Sequence, residues 1–309
     1  MTWNLRNSQD FTIFKTESNL NLMKTKIYFP FLCAAVIALS ACSSKVNTSS
    51  SASVKQYPET KLGWKLGSQA YTFKSFTFVE ALRKIDSCNL KYVEGSSALD
   101  IGGGIPGKLD FHMSAATREQ VLQKMKERGI KMLGYGVSMG KDEADWRQLF
   151  DFAKAMGIET ITSEPKLSDM ALLSKLCEEY KINIAIHNHP NPSPYWNPEA
   201  VLAAIKGQSN RIGACADIGH WVRSGLDPVE CLKKLEGHVL HSHMKDLNVK
   251  GVKSAHDVIW GTGVSNIAGV VQELKRQNFK GMISAEYEYN WNNSGPEVAA
   301  SAVNLRKML

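Results

Sequence analysis

The chain has 309 residues, 43% hydrophobic and 22% charged, the apolar content of a globular protein with a full core. Its formal charge is +7; without residues 1–41, which hold four Lys/Arg and two Asp/Glu, it carries 33 basic against 28 acidic side chains, a net +5. No basic run of five or more occurs and the positive charges are scattered, which suits a solvated surface and argues against a nucleic-acid partner.

At the N-terminus Lys24 and Lys26 precede an apolar run over residues 27–39, which meets Leu39-Ser40-Ala41-Cys42. A basic flank, a short apolar stretch and small residues before a cysteine are the layout of an export signal over 1–41, with Met23 as its natural start and 1–22 standing ahead of it. The apolar run falls short of the roughly 20 residues a spanning helix needs. Its ending resembles a bacterial lipobox, in which cleavage precedes a cysteine that takes lipid. The resemblance implies a membrane anchor at Cys42 and a periplasmic or outer-membrane lipoprotein; an ordinary signal peptide with a chance cysteine is the plainer alternative. Residues 42–62 are Ser-rich and read as a flexible tether ahead of a domain over 63–309. Beyond Cys33 and Cys42, the four cysteines Cys88, Cys177, Cys215 and Cys231 show no CxxC spacing and sit in apolar runs, so buried free thiols are expected.

From residue 64 onward β-rich runs at 65–72, 91–96, 131–137, 159–164, 182–189, 212–219, 239–245 and 281–288 alternate with helical patterns such as 77–88, 117–129, 142–157 and 265–278. The helical stretches place apolar residues at i, i+3, i+4 and i+7. Gly129 and Gly157 supply helix stops just before the next strand. Strand–helix alternation implies a parallel sheet, and eight units imply closure into an α/β (β/α)8 TIM barrel. An open doubly wound sheet would carry a Gly-rich phosphate turn after its first strand, where this chain reads AYTFKSFT. The segment 102–108 nominally fits GxxxxGK, but Leu109 replaces the required Ser/Thr and no helix follows; it reads as a flexible loop over the barrel mouth, not a nucleotide site.

Strands four to eight end in unusual polar residues: Glu164; His187 and His189; Asp217 and His220; His241, His243 and Lys245; Glu286 and Glu288. A barrel builds its chemistry at these strand ends. Residues two apart share a face, so His187 pairs with His189, His243 with Lys245, and Glu286 with Glu288. A lone strand histidine is usually a packed residue, but five adjacent ends carrying His, Asp or Glu would be costly to bury without an ion. Carboxylate and imidazole donors suit Mn, Zn, Co, Fe or Mg.

The segments Ala216-Asp217-Ile218-Gly219-His220-Trp221, His243-Met244-Lys245-Asp246, Trp260-Gly261-Thr262-Gly263-Val264 and Ser284-Ala285-Glu286-Tyr287-Glu288 resemble the motif series of the xylose-isomerase-like TIM-barrel superfamily. The resemblance covers nearly all of 64–309 and implies one divalent metal and a small-molecule sugar substrate. It implies Asp217, His243 and Glu286 as metal ligands and His220 as a substrate contact. Strand five departs from the epimerase pattern: where many epimerases carry a metal-binding glutamate that doubles as a base, this chain reads Ile186-His187-Asn188-His189, closer to inosose dehydratases. The fourth ligand is His187 or Glu164, with Glu164 slightly preferred because it restores the missing negative charge.

By the same resemblance the chain is a sugar isomerase or epimerase working through an enediolate. Glu286 and either Glu164 or His189 exchange the proton, and Lys245, His220 and Glu288 hold substrate oxygens. In the Pro-rich segment after strand five, Tyr195 and Trp196 either stack on a sugar ring or pack inward. Export favours an unphosphorylated substrate. A dehydratase or hydratase on keto-sugars or keto-glycosides and a non-catalytic sugar-binding lipoprotein are the alternatives. An endonuclease IV-like enzyme would need more histidines on strands one to three, which offer none.

Overall fold

The computed structural model describes residues 57–309. The signal segment expected over 1–41, the lipid-accepting Cys42 and the tether as far as residue 56 lie outside the described residues. The last part of the stretch read as tether is folded instead: Pro58–Leu62 form a short 3-10 helix closed by Gly63 at φ 77°. Glu59 is buried there and receives the Arg306 guanidinium at 2.7 Å, an ion pair that ties this turn to the C-terminal helix.

Eight parallel strands close a barrel: β1 (Lys65–Gln69), β2 (Tyr92–Gly95), β3 (Lys131–Tyr135), β4 (Thr160–Ser163), β5 (Asn183–His187), β6 (Ile212–Asp217), β7 (Val239–Met244) and β8 (Met282–Ala285). Each lies within one of the β-rich runs expected from the sequence, and β8 closes on β1 with Lys65 opposite Met282. The ladders stop earlier than the runs do, because the chain turns away at the mouth. Glu164, His189, Lys245, Glu286 and Glu288 therefore stand just past the strand ends.

Around the barrel run α1 (Phe78–Ser87), α2 (Ala115–Glu127), α3 (Glu143–Met156), α4 (Met170–Tyr180), α5 (Pro198–Ile205), α6 (Ile218–Arg223), α7 (Pro228–Lys234), α8 (Ile267–Arg276) and α9 (Gly295–Lys307). Helix α1 starts on a reciprocal cap between Thr77 and Glu80 and buries Phe78, Ala81, Leu82 and Ile85, an i, i+3, i+4, i+7 stripe. Helix α3 stops at Gly157, whose φ of 74° lets its N–H reach Ala153 O. Side chains such as Trp146, Leu149 and Phe150 fill the layer between helices and strands, each fully buried large apolar group contributing on the order of 1.5–3 kcal/mol. The four described cysteines are free and buried, and burial pushes the Cys177 thiol up to about 12. Among the described residues no helix is long and apolar enough to cross a membrane.

The segment 102–108 is not a flexible loop. Asp100–Gly102 and Ile105–Lys108 form an antiparallel hairpin, with Gly103 and Gly104 at φ 61° and 85° in its turn and Leu99 and Leu109 buried at its base. A second hairpin, Asp246–Leu247 with Asp257–Val258, follows β7. The Asp246 carboxylate accepts from the N–H groups of Gly261, Gly263 and Ser265 at 2.8–2.9 Å, so the Trp260–Val264 motif is a clasp.

Candidate metal centre

Strand register sets two of the polar ends side by side, and the neighbouring strands bring two more close by. Asp217 on β6 stands opposite His243 on β7, His187 ends the neighbouring β5, and Glu286 follows β8 directly. His187, Asp217, His243 and Glu286 are all buried, and one donor atom from each lies within 4.8 Å of all the others. His187 Nε2, Asp217 Oδ2, His243 Nδ1 and Glu286 Oε2 make no well-formed hydrogen bond, although the Lys245 ammonium stands 3.0 Å from Asp217 Oδ2 and 2.8 Å from Glu286 Oε2, and His243 Nδ1 stands 2.9 Å from Glu286 Oε2. Two buried imidazoles and two buried carboxylates this close together fit a cation held between them, and Lys245 already brings one positive charge to the two carboxylates.

The opposite sides of Asp217 and His187 are committed. Asp217 Oδ1 caps α6 by accepting from His220 N–H at 2.7 Å. Asn188, buried between the two strand-five histidines, pins β5 to β6: its amide donates to Asp217 O at 2.9 Å and its oxygen accepts from Asp217 N–H at 2.8 Å. Glu164 Oε1 pairs with His187 Nδ1 at 3.1 Å and also with His189 Nδ1. Glu164 therefore stands behind His187, and the geometry favours His187 over Glu164 as the fourth member of the cluster, against the slight preference from charge. Burial opposes ionisation of Glu164, but the two histidine contacts prevail and its carboxyl falls to about 2.

Lys245 was expected to meet substrate oxygens but is fully buried, with Nζ 3.0 Å from Asp217 Oδ2, 2.8 Å from Glu286 Oε2 and 2.9 Å from Glu288 Oε2. Burial works against its charge, yet the three carboxylates hold its pKa well above the usual lysine value. It brings positive charge directly to the cluster's carboxylate oxygens. His220 is likewise buried, with Arg223 at 3.0 Å from its Nδ1, and burial first of all drives its pKa well below the ordinary histidine value. Glu288 is engaged by Lys245 and by Arg223 at 2.8 Å. Tyr195 packs inward, its hydroxyl donating to Pro165 O at 2.6 Å, and Trp196 is not among the cleft-lining residues, so the expected stacking pair does not border the cleft.

A cleft of about 340 Å³ opens over the cluster, lined among others by Gln69, Tyr71, Ser96, His189, Glu286 and Glu288. A larger hollow of about 440 Å³ beside α2 and α3 is lined by no carboxylate or imidazole. Sequence reasoning missed Glu94. This carboxylate on β2 is fully buried inside the barrel and takes His241 Nε2 at 2.8 Å and His243 Nε2 at 2.9 Å. The signal was a single acidic residue at a core position of an otherwise uncharged strand.

Residues 82–308 match the family profile described as xylose isomerase-like TIM barrel. The chain is 35% identical to an uncharacterised protein of Parabacteroides distasonis of known structure, with TM-score 0.66 over 80% of this chain and all of that one. It is 25% identical over 138 residues to an inosose dehydratase of Clostridium botulinum, covering 40% of this chain and 46% of the relative. The chain thus spans about half the length of the curated relatives it matches. An IOLI protein solved with a bound zinc atom shares the fold, with TM-score 0.60 and 17% identity over 78% of this chain and 96% of that one.

Proposed function

Because the chain belongs to the xylose isomerase-like TIM-barrel family, we propose that it is a divalent-metal-dependent isomerase or epimerase that removes a proton beside the carbonyl of an unphosphorylated sugar or keto-sugar. The observation that carries this reading is the convergence of two buried imidazoles and two buried carboxylates beside a cleft that Glu286 and His189 line. His187, Asp217, His243 and Glu286 would hold the ion. Two imidazoles with two carboxylates suit Zn, Mn or Co better than the all-oxygen preference of Mg, and the zinc-bearing relative supports that choice. When bound, such an ion polarises a carbonyl oxygen and acidifies the neighbouring C–H.

The chain supplies two proton-handling groups. Glu286 belongs to the cluster and also borders the cleft, which puts its carboxylate in reach of a substrate C–H. It accepts the proton while the C–H electron pair becomes the carbon–carbon double bond of an enediolate. His189 has its Nδ1 engaged by Glu164, which leaves Nε2 of a half-exposed ring to return a proton. Return to the neighbouring carbon gives isomerisation; return to the opposite face of the same carbon gives epimerisation.

A second reading, elimination, has its own observation. Strand five carries His187 where a carboxylate base would stand, so the second proton group is an imidazole backed by Glu164. Such a group is suited to protonating a departing β-oxygen. An unphosphorylated substrate fits because no Lys or Arg lines the cleft, and the nearby Lys245 and Arg223 are taken by Asp217, Glu286, Glu288 and Asp257.

Incubation in D2O with ketoses and keto-glycosides tests this. Deuterium at one carbon with an unchanged skeleton supports isomerase chemistry, an unsaturated product with loss of water or aglycone supports elimination, and no exchange on any substrate overturns both. Export and lipidation at Cys42 are part of the proposal. Labelled palmitate should enter the wild-type chain and not the Cys42→Ser variant.

A further inference from the structure

Two histidines of the cluster present different nitrogens. His187 faces it with Nε2 and His243 with Nδ1. A neutral imidazole carries one proton, so each ring must be held in the tautomer that leaves the facing nitrogen bare. For His187 the Glu164 carboxylate at Nδ1 does this. For His243, Glu94 Oε2 stands at Nε2 at 2.9 Å, while Nδ1 faces Glu286 Oε2, also at 2.9 Å, so the tautomer is set by Glu94 once an ion takes the Nδ1 side.

Glu94 comes from β2, across the barrel from β7, and is fully buried. Its Oε2 also receives His241 Nε2 at 2.8 Å and Ser284 Oγ at 2.7 Å, and its Oε1 receives Thr162 Oγ1 at 2.6 Å. An ionised carboxylate only accepts, so every one of these contacts needs a proton on the partner. Space for it is cleared by Gly134, where a Cβ would stand 3.0 Å from both Glu94 Cγ and His241 Cε1. Among the described residues no lysine or arginine pairs with Glu94, so this buried charge rests on its hydrogen bonds to His241, His243, Ser284 and Thr162.

We propose that Glu94 is a positioning residue for metal uptake: by accepting the Nε2 proton of His243 it commits that ring to the tautomer whose Nδ1 lone pair faces His187, Asp217 and Glu286. The proposal rests on reading those four residues as the metal site. Glu94 touches neither the ion nor the cleft and acts through His243 alone. Carboxylates in this outer position typically tune metal affinity by roughly 10–100-fold.

Long-range 1H–15N correlation on the histidine rings of the Zn2+-loaded wild-type chain should show His243 protonated at Nε2, with Nδ1 on the metal side. In Glu94→Gln the amide N–H group competes for the same nitrogen, and affinity for Co2+ or Zn2+ in a competition titration should fall by roughly 10–100-fold. Ser284→Ala removes another Glu94 donor without touching His243 and should keep wild-type affinity. His243 protonated at Nδ1 in the Zn2+-loaded wild type overturns the proposal even if the glutamine variant does not fold. So does undiminished metal affinity in a folded Glu94→Gln protein. A wild-type chain that takes up no metal defeats the metal reading as well, whereas wild-type uptake with an insensitive Glu94→Gln defeats only the role of Glu94.

Discussion

His187 Nε2 and Asp217 Oδ2 stand 3.5 Å apart in the barrel interior, both shielded from solvent and without a hydrogen bond between them. A cation between them satisfies both. A ligand that binds only the folded state stabilises it by about 2.7 kcal/mol at a hundredfold excess over its Kd. For a domain of this size that is a rise in Tm on the order of 5–10 °C. Zn2+, Mn2+ or Co2+ added after chelation should produce that rise, and His187→Ala should greatly reduce it. Identical melting with chelator and with metal would remove the ion from the account.

His189 is outside the four-atom cluster but borders the cleft. His189→Gln should cut kcat by roughly 10²–10⁴ while leaving the Kd for the metal unchanged. Glu286→Gln should lower both, since Glu286 serves the cluster and the cleft together. A His189→Gln enzyme with full turnover would assign the proton return to another group.

Lys245 neutralises Asp217, Glu286 and Glu288 from a fully buried position. Removing one partner of a buried ion network leaves the others uncompensated, at a cost of about 3–5 kcal/mol. Lys245→Met should therefore lower the Tm of the chelated protein by on the order of 10 °C. The deficit should shrink once a divalent ion supplies positive charge at the cluster. Calorimetry of the two forms checks this; an equal deficit in both would mean that lysine and ion do not share the same carboxylates.

His112 bridges Asp110 at 2.6 Å through Nδ1 and Asp145 at 2.7 Å through Nε2, joining the segment before α2 to the start of α3. The hydrogen bond to Asp145, with that to Asp110 and the charges of both, outweighs desolvation and raises its pKa. A raised folded-state pKa makes the contribution complete below the unfolded value of ~6.5 and lost as pH climbs through the folded value. The bridge is partly exposed, so the effect is screened and small. Tm measured from pH 6 to 9 should fall more for the wild type than for His112→Gln across that alkaline window, and parallel curves would rule the bridge out.

The eight-unit barrel was legible because strand and helix periods are local: each apolar run stands in the chain where its element forms, and Gly157 ends α3 within a few residues of the groups it satisfies. Asp217, His243 and Glu286 were also legible, since unusual polar residues at strand ends need no knowledge of their neighbours. The hairpin at 100–108 was less so, because two short strands around a glycine pair carry the same composition as an open loop.

Taken alone, the amino-acid order determined the element sequence, the end of the barrel that carries chemistry, and the residue types offered there. Closure of the ring decided the rest. Glu94 meets His243 across 149 residues of chain, and it is this contact that relates to which imidazole nitrogen is bare. The same closure sent Glu164 behind His187 and buried Lys245 among three carboxylates, where it was expected to hold substrate oxygens. Strand pairing fixes direction and level only between neighbours, whereas partners across a barrel are set by its radius and by the side chains that fill it, which no local period encodes.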